Sequence, residues 1–84
     1  MRDYEGLLRA GNQAQLEKLK ENSYKKNWDD MNGWYAIGRM NEEIRELAEA
    51  YARRDYREAR REAADVANFA HMVVVLCDKM TEAT

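Results

Sequence analysis

The sequence of 84 residues contains no proline, four glycines and one cysteine, Cys77. Proline and glycine are the residues that most often end helices, so their scarcity favours long helices. A single cysteine excludes an internal disulfide, and a domain this small then usually depends on a metal ion or a partner subunit. The unpaired cysteine also fits a reducing compartment such as the cytoplasm.

A long apolar run and a strong charge of one sign are missing as well. The most apolar segment, residues 72–77, is too short to cross a bilayer, and residues 1–5 lack the apolar region of a signal peptide. Lys and Arg total 14 against 16 Asp and Glu, and the net charge of -2 argues against nucleic acid as the main partner. We therefore expect a cytoplasmic protein that binds neither a membrane nor nucleic acid.

The residues that are present predict an all-α fold. Apolar residues make up 45% of the chain, which is too much for a disordered protein and enough for one small core. We expect residues 1–84 to form a single domain, an antiparallel bundle of about three helices per chain that is completed by oligomerisation. The predicted helices cover about residues 3–21, 34–53 and 55–80. Asp55 and Glu58 form a capping box before the third helix, and Gly11-Asn12 could interrupt the first.

Two apolar stripes define the expected core. The stripe on the second helix consists of Ile37, Met40, Ile44, Leu47 and Tyr51. The stripe on the third helix consists of Ala59, Ala63, Val66, Ala70, Val73 and Cys77. Residues 72–77 are apolar on every side of the helix, which predicts that a partner subunit covers them.

Acidic residues fall on or beside both stripes. Glu62 lies inside the stripe of the third helix with Asp65 next to it, and Glu43 lies at the edge of the other stripe with Glu46 one step beyond. Two helices joined by a tight turn are antiparallel, so the two acidic pairs should face each other. Buried carboxylates are costly unless they are paired, and neighbouring carboxylates raise that cost. A hard cation such as Mg²⁺, which takes oxygen ligands, would relieve it.

The alternative interpretation is that these acids form ordinary solvated pairs with arginines, as most glutamates on helix surfaces do. We adopt that interpretation for Glu42 and Glu49, which point away from the core on the helical projection, and for Glu58. A diiron site would require Glu-x-x-His pairs. The sequence has only His71, so we expect that residue at the surface or in an interface.

Several segments of the sequence resemble one protein family. Residues 42–46 (EEIRE) and 62–65 (EAAD) are similar to the split EExxE and ExxD signature of the MazG-like all-α nucleoside triphosphate pyrophosphohydrolases. The tracts ELAEA at 46–50 and DVANFA at 65–70 resemble those of small members, many of them phage-encoded. The N-x-x-K-x-x-W pattern at 22–28 is similar too, and the whole resemblance covers about residues 22–80.

The resemblance implies Mg²⁺-dependent hydrolysis of ribo- or deoxyribonucleoside triphosphates to a monophosphate and pyrophosphate. It implies that Mg²⁺, or Mn²⁺ as a substitute, is held by Glu43, Glu46, Glu62 and Asp65, and that Glu42 and Glu43 are catalytic. It also implies a homodimer or a homotetramer, in the host cytoplasm if the gene belongs to a phage. Phosphoryl transfer fits an acidic site, because it mainly needs metal ions that neutralise charge and orient water.

Five further residues are candidates for substrate binding, each with a structural alternative. Asn22 either contacts the ligand or ends a helix, and Lys25 either meets the phosphates or is solvated. Trp28 either stacks on the base or anchors its loop. Asn68 has the donor and acceptor needed to read a base or sugar, and Phe69 either floors the pocket or fills the core.

Two other functions remain open from the sequence. The first is a non-catalytic helical module of the same fold that binds a nucleotide or a protein. The second is a nucleic-acid-binding module built on the arginines between residues 53 and 61. Acidic residues interleave with those arginines, which favours a solvated helix start laced with ion pairs.

Overall fold

The computed structural model describes residues 3–21 and 32–82, and these form three helices with no strand among them. The helices are α1 (Tyr4–Glu21), α2 (Gly33–Ala52) and α3 (Tyr56–Glu82). The predicted all-α class is therefore confirmed. α3 is the central helix, since it packs against both α2 and α1, whereas α1 and α2 do not approach each other closely within the described residues.

Side chains cap the starts of the helices. The Asn32 carboxamide oxygen accepts hydrogen bonds from the backbone amides of Trp34, at 2.8 Å, and Tyr35, at 3.3 Å. The Asp55 carboxylate accepts from the Glu58 amide at 3.2 Å, as the sequence predicts. Each cap satisfies amides that the first turn of a helix leaves without partners, so the helix boundaries follow from the local sequence.

A tight turn reverses the chain between α2 and α3. Arg54 adopts the left-handed conformation, with φ at 63°, and the Asp55 amide donates to the Ala50 carbonyl at 2.9 Å. The rings of Tyr51 and Tyr56 meet edge to face across the turn, with their centroids 5.5 Å apart. This reversal makes α2 and α3 an antiparallel pair.

α1 is continuous, so the predicted interruption at Gly11-Asn12 is wrong. Gln15 does not complete a capping box with Asn12, because its side-chain amide donates to Asn68 of α3 at 3.2 Å. At the contacts between α1 and α3, residue numbers that rise along α1 meet residue numbers that fall along α3, so these helices are antiparallel too. They pair Gln15 with Asn68, Lys18 with Asp65, and Glu21 with Arg61.

The buried face of α2 is displaced by one position along the chain from the predicted stripe. Ala36, Glu43 and Ala50 are buried, whereas Ile44 and Tyr51 are 46% and 63% exposed. Ala36 and Ala50 have no exposed surface because their small side chains let α2 approach α3 closely. Ile37, Ile44 and Tyr51 of the predicted stripe consequently lie beside this contact and are exposed, whereas Met40 and Leu47 are half-buried.

The buried residues of α3 also depart from the predicted stripe. Ala59 is buried as expected, whereas Ala63, Ala70 and Cys77 are exposed. α3 carries neighbours on two sides rather than one, so its buried positions do not follow a single stripe. The residues buried on α3 are Ala59, Ala64, Asn68 and Met72.

The arrangement is more open than a closed bundle. The radius of gyration is 14.1 Å, compared with about 12 Å for a compact domain of this length. Several large apolar side chains stay exposed, among them Leu7, Leu8 and Trp34. Within the described residues, no helix is both long enough and apolar enough to span a membrane.

Candidate functional site

Three carboxylates converge where α2 packs on α3. One oxygen from each of Glu43, Glu62 and Asp65 lies within 4.8 Å of the other two. Glu62 and Asp65 are three residues apart on α3 and therefore occupy one face, and Glu43 faces them from the buried side of α2. Glu43 is only 5% exposed, so its charge has little contact with water.

Glu62 is the least satisfied member of the cluster. Its Oε2 atom is buried and has no hydrogen-bond partner within the described residues. Burial raises the pKa of Glu62 to about 9, and the nearby carboxylates of Glu43 and Glu58 add to the rise. Glu46 raises this pKa further, which places it close to the cluster although it is not one of the three converging residues. Without a cation, Glu62 is consequently protonated at neutral pH.

Arg39 pairs with two of the predicted catalytic residues. One guanidinium nitrogen lies 3.0 Å from a Glu43 oxygen, and another contacts Glu42, which is exposed. The guanidinium also lies over the ring of Phe69, 5.5 Å from its centroid. Arg39 was not among the residues predicted from the sequence, although its spacing of three and four residues from the two glutamates is typical of such pairs.

Lys18 reaches the cluster from α1. Its Nζ atom lies 3.3 Å from Asp65 Oδ2, and the two side chains are 14% and 17% exposed. Lys18 was not predicted from the sequence either. No local sequence pattern indicates its ion pair with Asp65, because that contact depends on how α1 packs against α3. Two of the three converging carboxylates therefore already have a cationic partner, while Glu62 has none within the described residues.

The remaining predicted site residues are divided between the cluster and its surroundings. Phe69 is half-buried beside Arg39. Asn68 is buried on the side facing α1, where its amide nitrogen donates to the Gln15 carbonyl oxygen at 3.1 Å and its oxygen accepts from the Gln15 side chain. Both groups of Asn68 are thus used within the protein. The predicted substrate residues Asn22, Lys25 and Trp28 lie outside the described residues.

The arginines at the start of α3 form ion pairs, as the sequence analysis favoured. Arg60 lies 2.9 Å from Glu17, and Arg61 lies 3.0 Å from Glu21 and 3.7 Å from Glu58. Arg57, Arg60, Arg61 and Glu17 line a surface depression of about 490 Å³. Acids from α1 and α3 therefore offset much of this positive surface, which gives little support to a nucleic-acid interface.

An antiparallel helix pair with converging carboxylates on its facing sides defines the class of protein: an all-α protein with an acidic site whose ligand chemistry suits a metal ion. The chain belongs to the phosphoribosyl-ATP pyrophosphohydrolase family, whose model matches residues 7–80. No curated protein and no solved structure matches the chain. The match confirms the predicted relationship to the MazG-like superfamily and extends beyond the predicted 22–80 to include most of α1.

The family assignment supports a pyrophosphohydrolase that acts on nucleotide-like substrates. Members of the family are typically metal-dependent, and the cluster of Glu43, Glu62 and Asp65 has the ligand chemistry for that dependence. The cluster lies in the groove between α2 and α3, within the residues that the family model matches.

Proposed function

We propose that the protein hydrolyses a ribo- or deoxyribonucleoside triphosphate to the monophosphate and pyrophosphate, and that the reaction depends on Mg²⁺. One observation carries the proposal: the convergence of Glu43, Glu62 and Asp65 within 4.8 Å in a chain of a pyrophosphohydrolase family. A helical scaffold has no structural need for a buried acidic cluster, because such a cluster destabilises the fold unless a cation binds.

The donor set fits a hard divalent cation. All three converging groups are carboxylates, and Mg²⁺ and Mn²⁺ prefer oxygen ligands. Oxygens bound to one Mg²⁺ at about 2.1 Å lie up to about 4.2 Å apart, so the observed separation is close to the one required. The buried Oε2 of Glu62 has no partner within the described residues, and a cation would satisfy it. We assign Glu43, Glu46, Glu62 and Asp65 as the ligands.

Glu42 and Glu43 are the residues we propose for proton transfer. Hydrolysis joins a water oxygen to the α-phosphorus, breaks the bond from that phosphorus to the α–β bridging oxygen and releases pyrophosphate, and the attacking water must give a proton to a base. Glu43 belongs to the cluster, Glu42 lies beside it, and Arg39 bridges the two and can hold both carboxylates in place. A bound divalent cation supplies the positive charge that neutralises the phosphates and orients the water.

We also propose contacts with the substrate. Phe69 lies next to the cluster, with Arg39 over its ring, and can form an apolar wall beside the reacting phosphates. Asn22, Lys25 and Trp28 remain predicted contacts outside the described residues. Asn68 keeps its predicted role only if it exchanges its bonds to Gln15 for bonds to a substrate. Phosphoribosyl-ATP, the compound in the family's name, also carries a triphosphate and belongs among the candidate substrates.

A non-catalytic binding module is the second candidate function. The observation in its favour is that Lys18 and Arg39 already neutralise two of the three converging carboxylates without any metal. Such a module would bind a nucleotide or a protein without turnover. Turnover therefore distinguishes the two candidates.

The test is a pyrophosphate-release assay on purified protein with ribo- and deoxyribonucleoside triphosphates and phosphoribosyl-ATP. We expect release with Mg²⁺, weaker release with Mn²⁺ and none with EDTA. Glu62→Gln keeps the side-chain shape and removes the charge, so we expect a loss of about 100-fold or more in kcat. Glu49→Gln is the control, because it makes the same chemical change at an exposed glutamate of α2 that lies outside the cluster. Full activity of the Glu62 variant would contradict the ligand assignment.

We also propose that the chain forms a homodimer or homotetramer through the exposed apolar face of α2. A surface depression of about 570 Å³ on this face is lined by Ile44, Leu47, Ala48, Tyr51 and Ala52. Contiguous apolar surface of this kind marks interaction sites in soluble proteins. Sedimentation should give a dimer or tetramer for the wild type and a smaller species for Ile44→Lys, with Leu8→Lys on α1 as the control. A monomeric wild type would contradict the proposal.

The cytoplasmic location, the single domain of residues 1–84 and the phage origin are retained as predictions. They rest on the sequence pattern and on the resemblance described above, and the pyrophosphohydrolase proposal does not depend on them.

A further inference from the structure

Lys18 is a cation at the acidic cluster that the proposed reaction does not use. Its Nζ atom lies 3.3 Å from Asp65 Oδ2, and both side chains are largely removed from water. Asp65 also provides one of the three oxygens that lie within 4.8 Å of one another. Lys18 therefore supplies positive charge to a carboxylate that we assign to the metal ion.

The rest of the α1 interface is mainly polar. Gln15 bonds to Asn68, and Glu17 and Glu21 pair with arginines of α3. The apolar side chains of Leu7, Leu8 and Leu16 are 63%, 65% and 45% exposed. Buried Ala14 and half-buried Leu19 supply the apolar packing of α1, which is therefore limited. Since apolar burial is small here, the ion pair of Lys18, with its largely buried side chains, is an important part of what holds α1 in place.

We propose that Lys18 is a positioning residue that competes with the divalent cation for Asp65, so that metal binding and the docking of α1 oppose each other. The inference rests on the proposed metal site. A divalent cation and an ammonium group that share one carboxylate repel each other, and the repulsion is strong where water is largely excluded. Because coupling between two binding events is reciprocal, the docking of Lys18 weakens metal binding by the same factor by which metal binding weakens the docking of Lys18.

The first test measures Mn²⁺ binding to nucleotide-free protein by electron paramagnetic resonance of the free ion. Lys18→Met removes the charge and keeps an unbranched side chain, so we expect a Kd for Mn²⁺ that is about tenfold lower than in the wild type. Lys18→Arg keeps the charge and should bind Mn²⁺ as the wild type does. Lys20→Met is the matched control, because Lys20 is exposed on the same helix and loses the same charge.

The outcomes separate this inference from the proposed function. Tighter Mn²⁺ binding by Lys18→Met alone supports the competition. Equal Kd values for Lys18→Met and the wild type overturn the competition and leave the metal site standing. The absence of Mn²⁺ binding from both proteins overturns the metal site and this inference together.

A second measurement needs no substitution and covers the case in which Lys18→Met fails to fold. Hydrogen exchange of the α1 amides is followed in the wild type with and without saturating Mn²⁺. We expect faster exchange in α1 when Mn²⁺ is bound, because the ion displaces Lys18 from Asp65. Unchanged or slower exchange in α1 would overturn the proposal, since the two events would then not oppose each other.

Discussion

The α2–α3 hairpin and α1 are attached to the molecule in different ways. In the hairpin, capped helix starts and a tight turn fix the geometry, and Ala36 and Ala50 are fully buried between the two helices. α1 instead lies on α3 through ion pairs and hydrogen bonds, and much of its apolar surface is exposed. The hairpin is held by close packing, whereas α1 is held mainly by polar contacts.

This difference matters because both regions contribute to the acidic cluster. The hairpin supplies the three converging carboxylates, and α1 supplies Lys18. Elements with little buried apolar surface open at low free-energy cost. We therefore expect the carboxylates to keep their arrangement under conditions in which Lys18 leaves.

The largest expected effect on stability comes from overfilling the hairpin contact. Ala50 has no exposed surface, so Ala50→Leu should lower the free energy of unfolding by about 1–3 kcal/mol. Each kcal/mol corresponds to a fall in Tm of about 4–8 °C for a domain of this size. Thermal unfolding followed by circular dichroism measures the change. The same substitution at Ala10, which is exposed on α1, should leave Tm nearly unchanged; equal losses at both positions would remove the distinction between the regions.

The next effect is a pH dependence that Glu62 imposes on the hairpin. In the folded protein the pKa of Glu62 is raised to about 9, by burial and by its carboxylate neighbours, from an ordinary value of 4.5. Below pH 4.5 the group is protonated in both the folded and the unfolded state. Between pH 4.5 and pH 9 it ionises only in the unfolded state, so the stability of the metal-free protein should fall as pH rises.

Thermal unfolding from pH 5.5 to pH 8.5 in the presence of EDTA checks this dependence. We expect Tm to fall by several degrees across that range in the wild type and much less in Glu62→Gln, with Glu49→Gln behaving as the wild type. Saturating Mg²⁺ should oppose the fall, because it favours the ionised form of Glu62. A Tm of the metal-free protein that rises with pH because of Glu62 would contradict the burial of this carboxylate.

The smallest expected effect is confined to α1. Asn68→Ala removes both side-chain bonds to Gln15, and we expect a loss of about 1–2 kcal/mol that appears as local opening of α1. Hydrogen exchange should therefore speed up in α1 and stay nearly constant in α2. Asn41→Ala is the control, since Asn41 is exposed on α2. Equal acceleration in α2 would show that α1 and the hairpin unfold together.

The sequence predicted the three helices and the convergence of Glu43, Glu62 and Asp65, though not the position of Glu46 outside that group, because these features depend on local spacing. Caps at Asp55 and periodic apolar residues define the helices. Glu62 and Asp65 share a face through their three-residue separation, and a tight turn brings Glu43 opposite them. The predicted stripe of α2 was wrong by one position, because hydrophobicity favours Ile44 and Tyr51 whereas close packing against α3 selects Ala36 and Ala50.

The spacing of residues along the chain thus determined the all-α fold, the helix boundaries and the acidic residues that face one another. Only the tertiary structure decided which face of α2 is buried, where α1 lies, and that Lys18 pairs with Asp65. The physical reason is the distance along the chain over which each kind of interaction acts. Caps, turns and helical periodicity act over a few residues, whereas the packing of α1 depends on contacts between residues more than 40 positions apart in the chain.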